Sequence, residues 1–399
     1  MTTNHPNADG LPHLTPVTRI EPRETLSVLE GERFASDAAF GRAQLQQRLA
    51  RAKRAFVTRR LSFAEVLGLT DHDYIPQAGD VLLARVTALG QHKRIELETG
   101  RRSALYVGDE IIVVYGNRYA PDQFHALVPA DFGPCSLVAG GGIAATVVDK
   151  HAKMSAATTI EPIGMLRQTN GGILNVREGA LPSAAASASL FRSTNEPHII
   201  GIVGSSMNAG KTTTAAHICV SLRRAGLKVA ACKVTGTGSG GDMWSLDDAG
   251  AHPVLDFTDA GLATTYKASA GDIERVVTTL LAHLGATRPD VIVIEVADGL
   301  YQEETRRLVQ SPLFRRHVDG VLYACADAAG ACAGIDLLRN WGYEPLALSG
   351  TVSASPLATA EAVAATGLDV ITLDRFLNES TVPALLLQGK SRVAGVRHG

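Results

Sequence analysis

The sequence lacks the features of a secreted, membrane-spanning or zinc-stabilised protein. Its 399 residues include five cysteines without a C-x-x-C pair, which argues against a disulfide framework or a zinc site. Cys219, Cys232 and Cys325 lie in apolar segments and are expected to be buried. No apolar run reaches the ~18 residues of a membrane span, and the start, MTTNHPNADGLPHL, has no secretion-signal pattern. We therefore expect a cytoplasmic protein without a membrane partner.

An excess of one charge sign is also missing. The 38 basic and 40 acidic residues give a formal net charge of −2, so nothing favours nucleic acid as a partner. Residues 36–68 carry seven basic residues and apolar residues at helical spacing, which predicts a helix. Aromatic residues do not interleave with its basic residues, so we interpret the basic stretch as a solvated helix face.

The chain is too long for a single ordinary core. Residues 1–75 are predicted to be a disordered tail, over about the first 20 residues, and a helical segment. Short β-branched runs separated by glycine, asparagine and proline predict a mainly-β module over 76–182. A small-residue linker spans 183–197. From 198 to 399, apolar strands alternate with helices, which predicts an α/β domain with a mostly parallel sheet covered by helices.

The stretch GIVGSSMNAGKTTTAAHICVSL, residues 201–222, is a predicted strand, loop and helix that resembles a phosphate-binding loop. The consensus G-x-x-x-x-G-K-[ST] requires glycine at 205, where this chain has serine. Gly204 lies one residue earlier and still allows a sharp turn. A helix start binds anions through its free N–H groups and its dipole. The predicted nucleotide-binding residues are Gly204, Ser205, Ser206, Asn208, Ala209, Gly210, Lys211, Thr212 and Thr213.

Charged residues that complete a magnesium-phosphate site follow at other strand ends. Lys211 is predicted to contact the β- and γ-phosphates, and the Thr212 hydroxyl to bind Mg²⁺. Glu295 ends the strand in DVIVIEVADG, at the edge where ligands bind in open α/β sheets, and is a second candidate metal ligand. Either Asp242 or Asp256 completes the set, and the sequence does not choose between them.

The segment KVTGTGSGGD is predicted to be a glycine-rich loop beside the phosphates. Lys233 would neutralise the charge of a transferring phosphoryl group, so Lys211 and Lys233 are the predicted catalytic residues. The hydroxyls of this segment are predicted to contact substrate: Thr235, Thr237 and Ser239. In the β module, Arg118 would suit a carboxylate through bidentate pairing, although turn chemistry plus a solvated charge explains it equally well.

These residues together resemble dethiobiotin synthetase and its relatives among the MinD- and signal-recognition-type P-loop proteins. The matching pieces are Gly-Lys-Thr-Thr at 210–213, Lys233 followed by small hydroxyl residues, and the acid in IEVADG. The resemblance implies that Thr212, an aspartate and Glu295 bind Mg²⁺, that Lys211 and Lys233 flank the phosphates, and that the protein is a homodimer. The C-terminal half is also similar to the P-loop group of the D-glutamate N-acetyltransferase, through VTGTGSGGD and the following DF.

The guanine-reading motifs N-K-x-D and T-K-x-D are absent from the late strand ends, which favours an adenine nucleotide or CoA over GTP. Three functions follow from these patterns. The leading prediction is an ATP- and Mg²⁺-dependent phosphotransferase or ligase that acts on a small carboxylate- or amine-bearing metabolite. The alternatives are an N-acyltransferase that binds the phosphates of acetyl-CoA, and a nucleotide-switched binding or assembly protein.

Overall fold

The structure, a computed structural model, describes residues 41–70, 73–183 and 196–388. All of them belong to one unit of the chain, residues 36–399. The predicted disordered tail over the first 20 residues, and residues 184–195 of the predicted linker, lie outside the described ranges. Among the described helices, none combines the length and the apolar character that crossing a bilayer requires.

Residues 41–183, here called the β module, form a mainly antiparallel barrel preceded by helix α1 (Arg42–Arg51). Five strands close into a ring in the order β6-β3-β11-β9-β10, because β10 also pairs with β6. Strand β1 extends the ring beside β6, β2 lies beside β11, and β8 lies beside β10 with β7 on its far side. The strands are β1 (Lys53–Arg54), β2 (Val66–Leu69), β3 (Val81–Ala88), β4 (Arg94–Glu96), β5 (Arg102–Ala104), β6 (Glu110–Tyr115), β7 (Arg118–Tyr119), β8 (Phe124–Leu127), β9 (Cys135–Ala139), β10 (Ile143–Lys150) and β11 (Thr158–Gln168).

Residues 196–388, here called the P-loop domain, form a six-stranded parallel sheet in the order β14-β13-β15-β12-β16-β17. The strands are β12 (His198–Gly204), β13 (Val229–Lys233), β14 (Val254–Asp256), β15 (Val291–Glu295), β16 (Gly320–Ala324) and β17 (Ala347–Ser349). The helices are α2 (Lys211–Arg224), α3 (Gly241–Asp248), α4 (Ala270–Ala286), α5 (Glu303–Gln310), α6 (Pro312–His317), α7 (Ala328–Asn340), α8 (Pro356–Thr366), α9 (Leu373–Asn378) and α10 (Val382–Leu386).

The central strands are buried on both faces, which explains their continuous apolar sequences. In β15, Ile292 and Ile294 pack into the core beneath α4, whereas Val291 and Val293 pack into the core beneath α2. Successive side chains of a strand point to opposite faces, so each helix layer receives every second residue. The predicted α/β fold, with a helix-covered parallel sheet after a β module, is therefore correct. The three cysteines of the apolar segments are buried as expected.

The helix predicted over 36–68 is wrong for most of its described length, because only Arg42–Arg51 is helical. Ala52 is extended, and the next two residues pair in parallel with Ile111 and Ile112 of β6. Phe56 then opens a short 3-10 turn and is fully buried in the core of the barrel. Strand pairing and burial therefore outweigh the local helical spacing of this segment.

Candidate functional site

The loop between β12 and α2 meets the backbone requirements of a phosphate-binding loop without glycine at 205. Gly210 has a φ of +92°, and a Cβ there would lie 2.9 Å from Gly350 Cα. A Cβ on Gly204 would lie 2.9 Å from both the Ala324 carbonyl oxygen and Lys211 Cγ. Ser205 has no left-handed backbone, and its N–H donates to Ala324 O at 2.9 Å. The positions that require glycine are therefore 204 and 210.

The lysine of the loop is folded over the place where a phosphate would bind. Lys211 is 6% exposed, and its Nζ donates to the Ser206 carbonyl oxygen at 2.7 Å. Burial lowers the pKa of Lys211. The first N–H groups of α2 have no partner within the helix, so they are available to an anion together with the Lys211 ammonium. Asn208, at φ +64°, donates through Nδ2 to Asp122 Oδ2 of the β module at 2.7 Å.

Three oxygen-bearing side chains converge where the sequence predicts the metal. Thr212 Oγ1 lies 2.8 Å from Glu295 Oε1 and 3.2 Å from Asp242 Oδ1. Glu295 ends β15 and is 2% exposed, and its Oε2 is buried without a hydrogen-bond partner. Burial and the adjacent Asp242 charge raise the pKa of Glu295. An unpartnered buried carboxylate oxygen beside a second carboxylate is an arrangement that a cation would satisfy.

Magnesium fits this donor set better than zinc does. Mg²⁺ takes hard oxygen ligands and usually relies on one or two carboxylates, with phosphate oxygens and waters completing the shell. In the described ranges, no group of three or more histidine, cysteine, aspartate or glutamate residues forms a metal site. The two carboxylates and the Thr212 hydroxyl would therefore bind Mg²⁺ only together with the phosphates of a ligand.

The contacts of the two candidate aspartates show which of them lies beside the other candidate metal ligands. Asp242 lies in the first turn of α3 and makes an ion pair with Lys233. Burial alone would lower the pKa of Lys233, but the charges of Asp242 and Glu295 raise it. Asp256, at the end of β14, accepts from the Thr258 N–H at 2.8 Å and from Arg59 at 3.2 Å. Asp256 is thus engaged in a structural ion pair outside the cavity, and Asp242 is the aspartate beside Thr212.

A cavity of about 870 Å³ opens over the phosphate loop, and both the β module and the P-loop domain line it. Of the predicted substrate-contacting residues, Thr237, Ser239 and Arg118 line this cavity. Thr235 does not, because it is 1% exposed and its Oγ1 accepts from the Ala297 N–H at 2.9 Å. That hydroxyl stabilises the backbone after β15, so its assignment as a substrate contact is not supported.

Apart from Arg118, the sequence analysis did not identify the β-module wall of the cavity. This wall comes largely from the β4–β5 hairpin and its flanks, and the residues that we missed are His92, Lys93, Arg94, Glu96 and Arg102. The run KRIELETGRRS has basic residues at both ends, but in sequence they cannot be told from the solvated charges of an ordinary hairpin. Asp298, which follows β15, also lines the cavity, and burial raises its pKa.

Glu96 connects the β module to the glycine-rich segment of the P-loop domain. It is 3% exposed, and its Oε2 accepts from Gly240 N at 3.0 Å and Ser239 Oγ at 3.2 Å. Its Oε1 accepts from Trp244 Nε1 at 2.9 Å. The Trp244 ring meets Phe56 edge-on, with centroids 6.2 Å apart. The β module thus contacts the same helix, α3, that carries Asp242.

At one point of this contact, the backbone around Gly141 of the β module lies directly against the backbone around Gly238 of the P-loop domain. A Cβ on Gly141 would lie 2.0 Å from the Gly238 carbonyl oxygen, so only glycine fits at 141. Nearby, Arg59 of the β module pairs with Asp259 at 2.7 Å and stacks on Phe56, 4.1 Å from the ring centroid. Close packing and buried ion pairs therefore define this contact.

The site geometry is that of a P-loop domain, with the candidate phosphate- and Mg²⁺-binding residues at one edge of its sheet. No protein-family model matches the sequence, and no curated protein matches it significantly. Among solved structures, the chain is similar to the signal recognition particle receptor FtsY from Elizabethkingia anophelis, with 18% identity over 53% of this chain and 62% of that chain and a TM-score of 0.29. It is also similar to the signal recognition particle 54 kDa protein from Aeropyrum pernix in complex with GDP, with 19% identity over 55% of each chain and a TM-score of 0.31. The chain thus spans less than two thirds of either protein.

These comparisons correct the predicted enzyme class. Both similar structures are signal recognition particle proteins, and neither is a metabolite phosphotransferase or ligase. The prediction of an ATP-dependent phosphotransferase or ligase is therefore wrong. The comparisons do not support the resemblance to the acetyltransferase group. The feature that this chain shares with the two similar structures is the P-loop fold.

Proposed function

We propose that the protein is a nucleotide-switched binding protein, in which a nucleoside triphosphate with Mg²⁺ sets the contact between the P-loop domain and the β module. One observation carries the proposal. Asp242 contacts the candidate magnesium site, and Gly240 and Trp244 contact Glu96 of the β module, within one five-residue stretch. A displacement of Asp242 therefore moves Gly240 and Trp244 with it, because the stretch spans only about 6 Å along the helix axis, at about 1.5 Å per residue.

The residues of the site have distinct roles in this proposal. The N–H groups at the start of α2 and Lys211 bind the phosphates. Thr212, Asp242 and Glu295 bind Mg²⁺, which when present neutralises charge on the β- and γ-phosphate oxygens. Asp242 at present pairs with Lys233, so metal binding competes for a carboxylate that already has a partner. This competition is what moves the first turn of α3 between nucleotide states.

ATP is the nucleotide that we expect, because the guanine-reading motifs are absent from the late strand ends. GTP remains the necessary comparison in every binding experiment. The base does not enter the argument about the switch, since every contact described above concerns the phosphates or the metal.

The chain offers its own reporter for the experiment. It has two tryptophans, Trp244 and Trp341, and Trp341 lies at the end of α7, outside the cavity. In a Trp341→Phe variant, all tryptophan emission comes from the residue that contacts Glu96. We expect the emission to differ between the triphosphate and diphosphate complexes formed with Mg²⁺, and to lose that difference in EDTA.

Lys211→Ala in the same background is the control, and it should abolish the response by abolishing binding. Calorimetry with ATP, ADP, GTP and GDP measures binding independently of the fluorescence. If a nucleotide binds with Mg²⁺ and Trp244 emission is the same in both phosphate states, the switch is refuted. If none of the four binds, the P-loop is not a nucleotide site.

A further inference from the structure

Arg118 is a buried cation whose guanidinium group is only partly hydrogen-bonded. It opens β7, is 6% exposed and lines the cavity over the phosphate loop. Its Nη2 donates to Gln123 Oε1 at 2.7 Å, whereas Nε and Nη1 are buried without any hydrogen-bond partner. Burial lowers the pKa of Arg118 to about 10, so the guanidinium is charged at neutral pH.

A buried guanidinium without an ion-pair partner lowers the free energy of unfolding. Buried charges in proteins are paired or hydrogen-bonded, because an unsatisfied charged group loses its hydration without compensation. In the ranges that the structure describes, no carboxylate forms an ion pair with Arg118. The guanidinium therefore has two donors and a positive charge for an anion that enters the cavity.

The turn that follows Arg118 contacts the phosphate loop directly. Asp122 lies in this turn between β7 and β8 and accepts the hydrogen bond from Asn208 of the loop. Asp298 lies within electrostatic reach of Arg118 and of Lys211, since both charges act on its pKa. The residue after it, Gly299, packs against the loop, because a Cβ there would lie 2.2 Å from the Ser205 carbonyl oxygen. Arg118 and Lys211 thus face one region at the mouth of the phosphate loop.

We propose that Arg118 binds the γ-phosphate of the nucleoside triphosphate and so makes the β module the part of the chain that distinguishes triphosphate from diphosphate. This inference rests on the proposed function. Guanidinium donors match phosphate oxygens in geometry and charge. The anchoring of the Arg118 turn on Asn208 favours the nucleotide's own phosphate over the carboxylate of a separate small ligand, which the experiment below treats as the competing outcome.

The experiment measures binding and requires no turnover. Calorimetry gives the affinity of the wild-type protein for ADP and for a non-hydrolysable ATP analogue, each with Mg²⁺. We expect Arg118→Met to weaken the analogue by about ten- to a hundredfold, which is the usual contribution of a charged hydrogen bond, and to change ADP affinity by less than about threefold. The guanine nucleotides are measured in parallel.

Arg102→Met is the matched control, because Arg102 lines the same cavity but is exposed. It should leave the preference for the triphosphate unchanged. An equal loss in both variants would reveal a general effect of cavity charge and would overturn the specific role of Arg118. Arg118→Lys keeps the charge but not the fork of donors, and should recover only part of the preference.

The same variants separate this role from a structural one. Because the burial of the guanidinium outweighs the favourable charges of Asp122 and Asp298, Arg118→Met should leave the Tm of the nucleotide-free protein unchanged or raise it. A large fall in Tm together with equal losses for ADP and the analogue would overturn the proposal. So would an unchanged analogue affinity, above all if succinate bound the wild type and not Arg118→Met. If the wild type binds no nucleotide at all, it is the proposed function that fails.

Discussion

Replacing Glu96 by glutamine tests the contact between the β module and α3 at a single atom. The two Glu96 oxygens have separate tasks, since Oε2 accepts from Ser239 and Gly240 and Oε1 accepts from Trp244. An amide oxygen can replace Oε2. The amide nitrogen must then replace Oε1, so it places a donor against the Trp244 N–H.

The cost can be worked from this geometry. A buried donor left without its partner costs about 1–3 kcal/mol. Trp244 is only partly buried, so we expect Glu96→Gln to lower the free energy of unfolding by about 1–2 kcal/mol. In a Trp244→Phe background the opposing N–H is gone, and the same substitution should cost less than about 1 kcal/mol. The coupling between the two sites should therefore be about 1 kcal/mol, which a double-mutant cycle isolates.

Urea titration followed by far-ultraviolet circular dichroism is the suitable assay, because it does not depend on the tryptophan that is replaced. Glu98→Gln is the matched control on the same hairpin. Glu98 pairs with Arg54 within the β module at 2.7 Å, and a partly exposed pair of this kind contributes less than about 1 kcal/mol. It should show no coupling to Trp244. An equal cost of Glu96→Gln in both backgrounds would refute the reasoning, since the loss would then not arise at the Trp244 contact.

Three further predictions concern the loop, the metal and pH. Gly210→Ala should abolish nucleotide binding because of its left-handed backbone, whereas Ser205→Gly should change affinity by less than about threefold in calorimetry. Thr212→Ala should weaken Mg²⁺-dependent nucleotide binding by at least about tenfold and leave binding in EDTA unchanged, so the EDTA measurement is the internal control. Burial, and secondarily the Arg118 charge, lower the pKa of His92 from 6.5 to about 4. The unfolded chain therefore binds that proton more tightly, and stability should fall between pH 6.5 and 4 by at most about 3 kcal/mol, less so in His92→Gln, as urea titrations at each pH would show.

The positions of the loop residues and of the first candidate metal ligands could be predicted from sequence because their geometry is local. Gly210, Lys211 and Thr212 follow one strand and begin one helix, so the spacing of the motif already fixes their arrangement. Glu295 could be predicted because it ends the strand that pairs with β12, and parallel strands bring their carboxyl ends to one edge. These positions depend only on a parallel sheet, and continuous apolar strands that alternate with helices are enough to predict one.

The rest of the site depends on contacts between segments that are far apart in the chain. The choice of Asp242 over Asp256 follows from the docking of α3 against α2 and from the pairing of Asp256 with Arg59, which lies 197 residues away. The failure of the predicted helix after Arg51 has the same origin, since β1 forms only by pairing with β6. Spacing within a segment carries no information about such partners.

The position of Arg118 shows what this non-local arrangement adds to the loop. In sequence, Arg118 is a charge beside a turn, and solvation explains it as well as any ligand. In the fold, the Asp122–Asn208 hydrogen bond fixes that turn on the phosphate loop, and Glu96 fixes the same module on the helix of Asp242. In the proposed function, the module therefore contacts the nucleotide at the phosphates through Arg118 and contacts the metal site through α3. A nucleoside triphosphate would contact both sides and so bind the two parts of the chain to each other, whereas a nucleotide without the γ-phosphate would contact only the metal side. The resulting difference in free energy between the two complexes is what a nucleotide switch requires.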